Sequence, residues 1–87
     1  MKTTKTIAQL IERELNITDD QYIVINEVTI RGEFKALSQH LVLFRMAGKK
    51  DFQLVQYWAD GSFQIIGGLW GINEAYDELK ARINASL

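Results

Sequence analysis

His40 is the side chain with the clearest catalytic chemistry in this sequence, because it is the only histidine and the chain contains no cysteine. An imidazole acts as a general base near neutral pH, and Ser38 would share its strand face, since side chains two positions apart point the same way. A hydrolytic site also needs a group that orients the base and donors that stabilise an oxyanion. The sequence supplies neither, and it therefore predicts a protein that is not an enzyme.

A hydrogen-bonded polar cluster accounts better for the same region. When the predicted strands are aligned, four other polar or amphipathic side chains surround the histidine. Buried polar groups need hydrogen-bond partners, and this set supplies them internally. The alternative is a small-ligand pocket lined by the same residues, which are Asn26, Ser38, His40, Gln56 and Trp58. A lone histidine without acidic neighbours does not make a metal site, and we expect neither a metal nor another cofactor.

Residues 67–71, Gly-Gly-Leu-Trp-Gly, lie between a predicted strand and a predicted helix, where a phosphate-binding loop would stand. Their spacing matches neither G-x-G-x-x-G nor G-x-x-x-x-G-K-[ST], and no lysine follows that would reach a phosphate. The glycines are therefore predicted to break the sheet and turn the chain into the helix. We expect Trp70 to pack beneath that helix, whereas an exposed Trp70 would instead anchor an interface.

The net charge of −1 conceals a local bias, because the stretch between Arg31 and Lys50 carries +4 and the rest of the chain −5. We interpret these charges as solvated strand ends and a turn. The alternative is an anion contact, including a single-stranded nucleic-acid surface, formed by Arg31, Lys35, Arg45, Lys49 and Lys50. An isoelectric point of about 5.7 argues against an obligate nucleic-acid binder.

The hydrophobic pattern indicates how these residues are positioned. Helical spacing predicts a helix over residues 6–16, and Asn73 is a suitable cap for a final helix. Strands are predicted over 22–30, 34–46, 52–59 and 62–67, with a helix over 34–45 as the alternative for the second. Asp60-Gly61 predicts a two-residue type I′ turn between the last two strands.

The predicted order is α-β-β-β-β-α in a single domain, residues 1–87. This is an α+β fold, a four-stranded antiparallel β-meander flanked by an N-terminal and a C-terminal helix in two layers. The residues after Met1 lack the apolar run of a signal peptide, and no segment reaches the length of a membrane span. We therefore expect a cytoplasmic protein.

A two-layer fold would leave an apolar patch on the outer face of the sheet. Patches of this kind mark interaction sites on monomers. We therefore predict a protein partner: a second copy packed face to face, or another protein bound by an adaptor or inhibitor. The predicted interface comprises Ile23, Ile25, Leu41, Leu43, Val55, Tyr57 and Ile66. If instead one helix covers each face of the sheet, this patch becomes core.

Overall fold

The computed structural model describes residues 5–31 and 38–86. Four strands form one antiparallel sheet in the order β1-β2-β3-β4, with one helix before it and one after it. The elements are α1 (Lys5–Leu15), a 3₁₀ turn (Asp19–Gln21), β1 (Tyr22–Ile30), β2 (Gln39–Met46), β3 (Asp51–Trp58), β4 (Phe63–Trp70) and α2 (Ile72–Ala85). The predicted order and the α+β class are confirmed. Residues 34–37 of the predicted second strand lie outside the described residues.

The two helices pack on opposite faces of the sheet. Successive β2 side chains alternate between the faces. Val42 and Phe44 lie in a cluster with Ile7, Leu10 and Ile11 of α1. A second cluster lies on the other face of the sheet and includes residues of α2. It comprises Leu41, Leu43, Leu54 and Leu69 of the strands and Ala75 and Leu79 of α2. We call these surfaces the α1 face and the α2 face; the predicted two layers are in fact three, with the sheet in the middle.

The second helix layer explains why part of the predicted interface is wrong. Leu41, Leu43 and Val55 are each 0% exposed in the single chain. The two leucines lie beneath α2 and Val55 lies beneath α1, so these three residues are core. Tyr57, Ile66 and Ile25 are half-buried at the margins of the two clusters, and of the predicted set only Ile23 is exposed.

The β3–β4 hairpin is confirmed, but its turn is longer than predicted. Tyr57 pairs with Phe63, and the Gly61 N–H donates to the Trp58 carbonyl oxygen at 3.0 Å. Gly61 has φ +95°, whereas Asp60 has a negative φ, which excludes the type I′ geometry. A three-residue loop ending in a left-handed glycine fits this hydrogen bond. The Asp60 carboxylate accepts hydrogen bonds from the Ser62 hydroxyl at 2.5 Å and from the Ser62 N–H at 2.9 Å, which close the loop and lower the pKa of Asp60.

Replacing Gly61 with valine is expected to lower the free energy of unfolding by about 1–3 kcal/mol, because a β-branched residue at positive φ is strained. No heavy atom outside the adjacent residues lies within 4 Å of the added Cβ, so the strain is conformational and not a clash. Urea unfolding measures the loss. Gly67→Val is the control, since Gly67 is exposed in a strand and its φ is not positive. Equal effects of the two substitutions would contradict the turn described above.

Candidate functional site

The predicted pocket around His40 is not formed, because its members lie on opposite faces of the sheet. His40 pairs with Tyr57 on the α1 face, whereas the alignment made from the sequence placed it beside Gln56 and Trp58. The register between β2 and β3 differs by one residue from that alignment, and a one-residue shift moves every β3 side chain to the other face. Nδ1 of His40 lies 3.0 Å from the Thr29 hydroxyl oxygen.

The remaining two predicted pocket residues accept hydrogen bonds from backbone N–H groups. The Asn26 side-chain oxygen accepts the N–H of Glu27 at 2.7 Å, and the Ser38 carbonyl oxygen accepts the N–H of Ala59 at 3.0 Å. Neither contact brings these residues to His40. The ligand-pocket prediction is therefore wrong in its geometry.

Gln56 belongs to a polar network that the sequence did not reveal. Its side-chain N–H donates to Gln39, whose own N–H donates to the Ser86 hydroxyl at 2.9 Å. Arg82 of α2 donates to the Gln56 side-chain oxygen at 3.1 Å and, through Nε, to Glu78 at 3.2 Å. Because the network joins the sheet to the last turns of α2 and satisfies buried amides, its role is to fix the position of that helix.

The basic residues do not form one surface. Arg31 follows the end of β1 that pairs with Gln39, whereas Arg45 pairs with Ile23 near the other end of β1. About seven residues of strand separate these positions, which is roughly 23 Å. Lys49 and Lys50 continue from the Arg45 end. Lys35 lies outside the described residues. The proposed single anion-binding surface is therefore not assembled by the residues that the structure describes.

Tyr22 of β1 connects this strand to α1 through a side-chain hydrogen bond. Its hydroxyl donates to a Glu12 carboxylate oxygen at 2.9 Å, and its ring meets Phe44 edge-on with centroids 5.9 Å apart. Burial, reinforced by the hydrogen bond to Glu12, raises the pKa of Tyr22 to about 12. The phenol therefore stays protonated at physiological pH and has a structural role.

β1 is an edge strand with an irregular register. Val24 pairs with Phe44, but Asn26 pairs with Leu43, so Ile25 is an extra residue in a β-bulge. The bulge moves the residues after it to the face opposite the one that strict alternation predicts. Glu27 and Thr29 therefore lie on the α1 face, while Val28 and Ile30 lie on the α2 face.

The backbone groups on the outer side of β1 follow from the hydrogen bonds of β2. Pairs in an antiparallel ladder alternate between bonded and non-bonded. Ser38 bonds to Ala59 toward β3, so even-numbered β2 residues bond to β3 and odd-numbered ones to β1. The odd-numbered residues pair with Asn26, Val28 and Ile30. The N–H and C=O groups of Glu27 and Thr29 consequently point away from β2. Of these four groups, the Glu27 N–H already donates to the Asn26 side-chain oxygen.

Beside this outer edge lies a row of aliphatic side chains that α2 leaves partly uncovered. α2 contacts chiefly β2, β3 and β4, and no residue of β1 is fully buried. Ile23 is 48% exposed, and the other members are half-buried. We call this row the aliphatic strip; it comprises Ile23, Ile25, Val28 and Ile30.

The opposite edge strand, β4, also corrects a prediction. It does not end at Gly67-Gly68 but passes through a second bulge there and continues to Trp70, which pairs with Asp51. Trp70 is 66% exposed, not packed beneath α2. Between α1 and the β3–β4 loop lies an open groove of about 220 Å³, and both Arg13 and Tyr57 line it. Arg13 forms its ion pair with the adjacent Glu14 at 3.2 Å.

Among residues 5–31 and 38–86, no three histidine or carboxylate side chains are grouped closely enough to hold a metal ion. In the same part of the chain, neither helix has the length and apolarity needed to cross a membrane. No protein-family model, no curated protein and no solved structure matches this chain.

Proposed function

We propose that this chain is a small, non-enzymatic protein-binding module whose binding surface is the outer edge of β1 together with the aliphatic strip. One observation carries the proposal: the outward C=O group of Glu27 and the outward N–H and C=O groups of Thr29 stand beside partly exposed aliphatic side chains on the same strand. An added strand from a partner satisfies the backbone groups and covers the side chains at once.

The proposed surface differs from the outer sheet face expected from the sequence. Ile23 and Ile25 remain part of it, whereas Leu41, Leu43 and Val55 do not, because they are core. An adaptor, an inhibitor and a homodimer all fit this mode of binding. A cytoplasmic location is part of the proposal. The separation of Arg31 from Arg45 speaks against nucleic acid as the partner.

Site-specific photocrosslinking tests the proposal. A benzophenone amino acid replaces Ile23 in one variant and Asp77, an exposed residue of α2, in a matched control. We expect illumination in a cell extract to join the Ile23 variant to a protein, either a second copy or a different chain, and excess unlabelled protein to compete with it. Equal products from the two variants, or none from either, would refute the proposal.

A further inference from the structure

The regular part of the β1 edge is the segment after the bulge, and its charges are spaced in a distinctive way. Glu27 is the only charged residue of β1, and Arg31 follows four positions later. Within the described residues, the ion pairs are Arg13–Glu14 and Glu78–Arg82, so neither Glu27 nor Arg31 has an ionic partner there. An acid in β1 and a base directly after its end, neither of them ion-paired within the described residues, are complementary to the same edge of another copy.

A twofold axis perpendicular to the sheet pairs two copies of β1 in antiparallel orientation and places opposed residues on the same face. Three registers place Glu27 opposite an outward-pointing residue of this segment. A centre at Glu27 opposes two glutamates, which is repulsive. A centre at Val28 sets Glu27 against Thr29. A centre at Thr29 sets Glu27 opposite Arg31 of the other copy, and does so twice.

The same Thr29 register is complementary on the α2 face. Val28 of one copy then stands opposite Ile30 of the other, again twice. These residues belong to the aliphatic strip, so the contact covers apolar side chains that α2 leaves partly exposed. Cross-strand apolar pairs and opposite charges both stabilise a sheet.

We propose that the partner at the β1 edge is a second copy of this chain, paired about Thr29 into a continuous eight-stranded sheet. This inference rests on the proposed function and adds to it the identity of the partner and the register. Two symmetry-related Glu27–Arg31 pairs select the register, and the outward N–H and C=O groups of the two Thr29 residues form its central hydrogen bonds.

Charge exchange tests the register. Glu27→Lys alone and Arg31→Glu alone each oppose like charges, and each is expected to raise the dimer dissociation constant roughly tenfold or more. In a mixture of the two variants, the introduced lysine of one copy faces the introduced glutamate of the other, and the retained Arg31 faces the retained Glu27. The mixture should therefore recover the wild-type dimer mass by light scattering. If both single variants dimerise more weakly and their mixture does not recover the dimer mass, the proposed register is wrong.

A single introduced cysteine provides a second test, because the chain has none of its own. Thr29→Cys lies at the twofold centre, where bonded antiparallel residues have Cα atoms about 5.5 Å apart, within disulfide range. We expect a disulfide-linked dimer under mild oxidation and no comparable product from Asp77→Cys. Circular dichroism confirms that both variants are folded. A folded Thr29→Cys variant that links no faster than Asp77→Cys would contradict the pairing.

The outcomes separate this inference from the function on which it rests. A wild-type protein that is monomeric up to about millimolar concentration, with Ile23 crosslinking to a different protein, removes the second copy and leaves the binding edge. A dimer unaffected by either charge reversal places self-association on another surface and overturns the inference. A monomer without crosslinks at Ile23 removes both proposals.

Discussion

Replacing Leu43 with glutamate is expected to unfold the isolated chain. Leu43 is 0% exposed and packs in one cluster with Leu54 and with Ala75 and Leu79 of α2. An unpaired carboxylate at this position costs several kcal/mol, either as a buried charge or through the proton it must take up. Domains of this size have roughly 5–10 kcal/mol of total stability, so most of it would be lost.

Ile23→Glu is the matched control for this experiment. It introduces the same side chain on the same face, but at an exposed position that pairs with Arg45. We expect it to remain folded, with a change in unfolding free energy within about 1 kcal/mol. Circular dichroism and urea unfolding of both variants decide the matter. A folded Leu43→Glu variant that merely loses a dimeric mass would mean that Leu43 lies at an interface and that the three-layer arrangement is wrong.

Replacing Gln56 with leucine is expected to destabilise the protein by about 1–3 kcal/mol. Gln56 is 4% exposed, and its side chain joins Gln39 to Arg82. The substitution leaves a buried acceptor on Gln39 without its donor, and unsatisfied buried groups cost their full desolvation energy.

The double variant Gln39→Leu, Gln56→Leu distinguishes a network from two separate contacts. It removes both members of the amide pair, while Arg82 keeps its contacts with Glu78 and Gln64. We expect the double variant to lose less stability than the sum of the two single variants, with a coupling of about 1 kcal/mol or more. Urea unfolding of the four proteins measures it. Additive losses would show that the two glutamines act independently.

The sequence was sufficient for the elements and their order. The strand over 22–30 was predicted at its observed bounds, because a run of β-branched and aromatic residues has few alternatives. The Asp60-Gly61 hairpin followed from turn chemistry, including the positive φ of Gly61. These are local properties, each determined by a few neighbouring residues.

The face of the sheet on which each side chain lies could not be predicted in the same way, because a shift of one residue in strand register decides it. The bulge at Ile25 changes the β1–β2 register by one residue, and the turn between β2 and β3 and the longer β3–β4 loop each give a register one residue from the predicted one. None of them has a strong signal in composition, and a one-residue change moves the side chains of a strand to the other face. The ligand pocket at His40 was predicted from a register of this kind, and it was lost for the same reason.

One signal of the three-layer fold was present in the sequence. Residues 41–44, Leu-Val-Leu-Phe, form an unbroken apolar run, and all four are 0% exposed. Strands covered on both faces have runs of this kind, whereas a strand with one wet face alternates. The run therefore indicates a helix on each side, and it turns the apparent outer patch into core.

Hydrogen exchange at individual β1 amides tests the central proposal most directly. We compare the dilute monomer with the complex, formed either by concentrating the protein or by adding the partner identified through crosslinking at Ile23. The amides of Val28 and Ile30 bond to β2 and should exchange slowly in both samples, whereas the amide of Thr29 should be fast in the monomer and slow in the complex. If the complex forms while the Thr29 amide still exchanges rapidly, the partner does not pair with this edge and the account is contradicted.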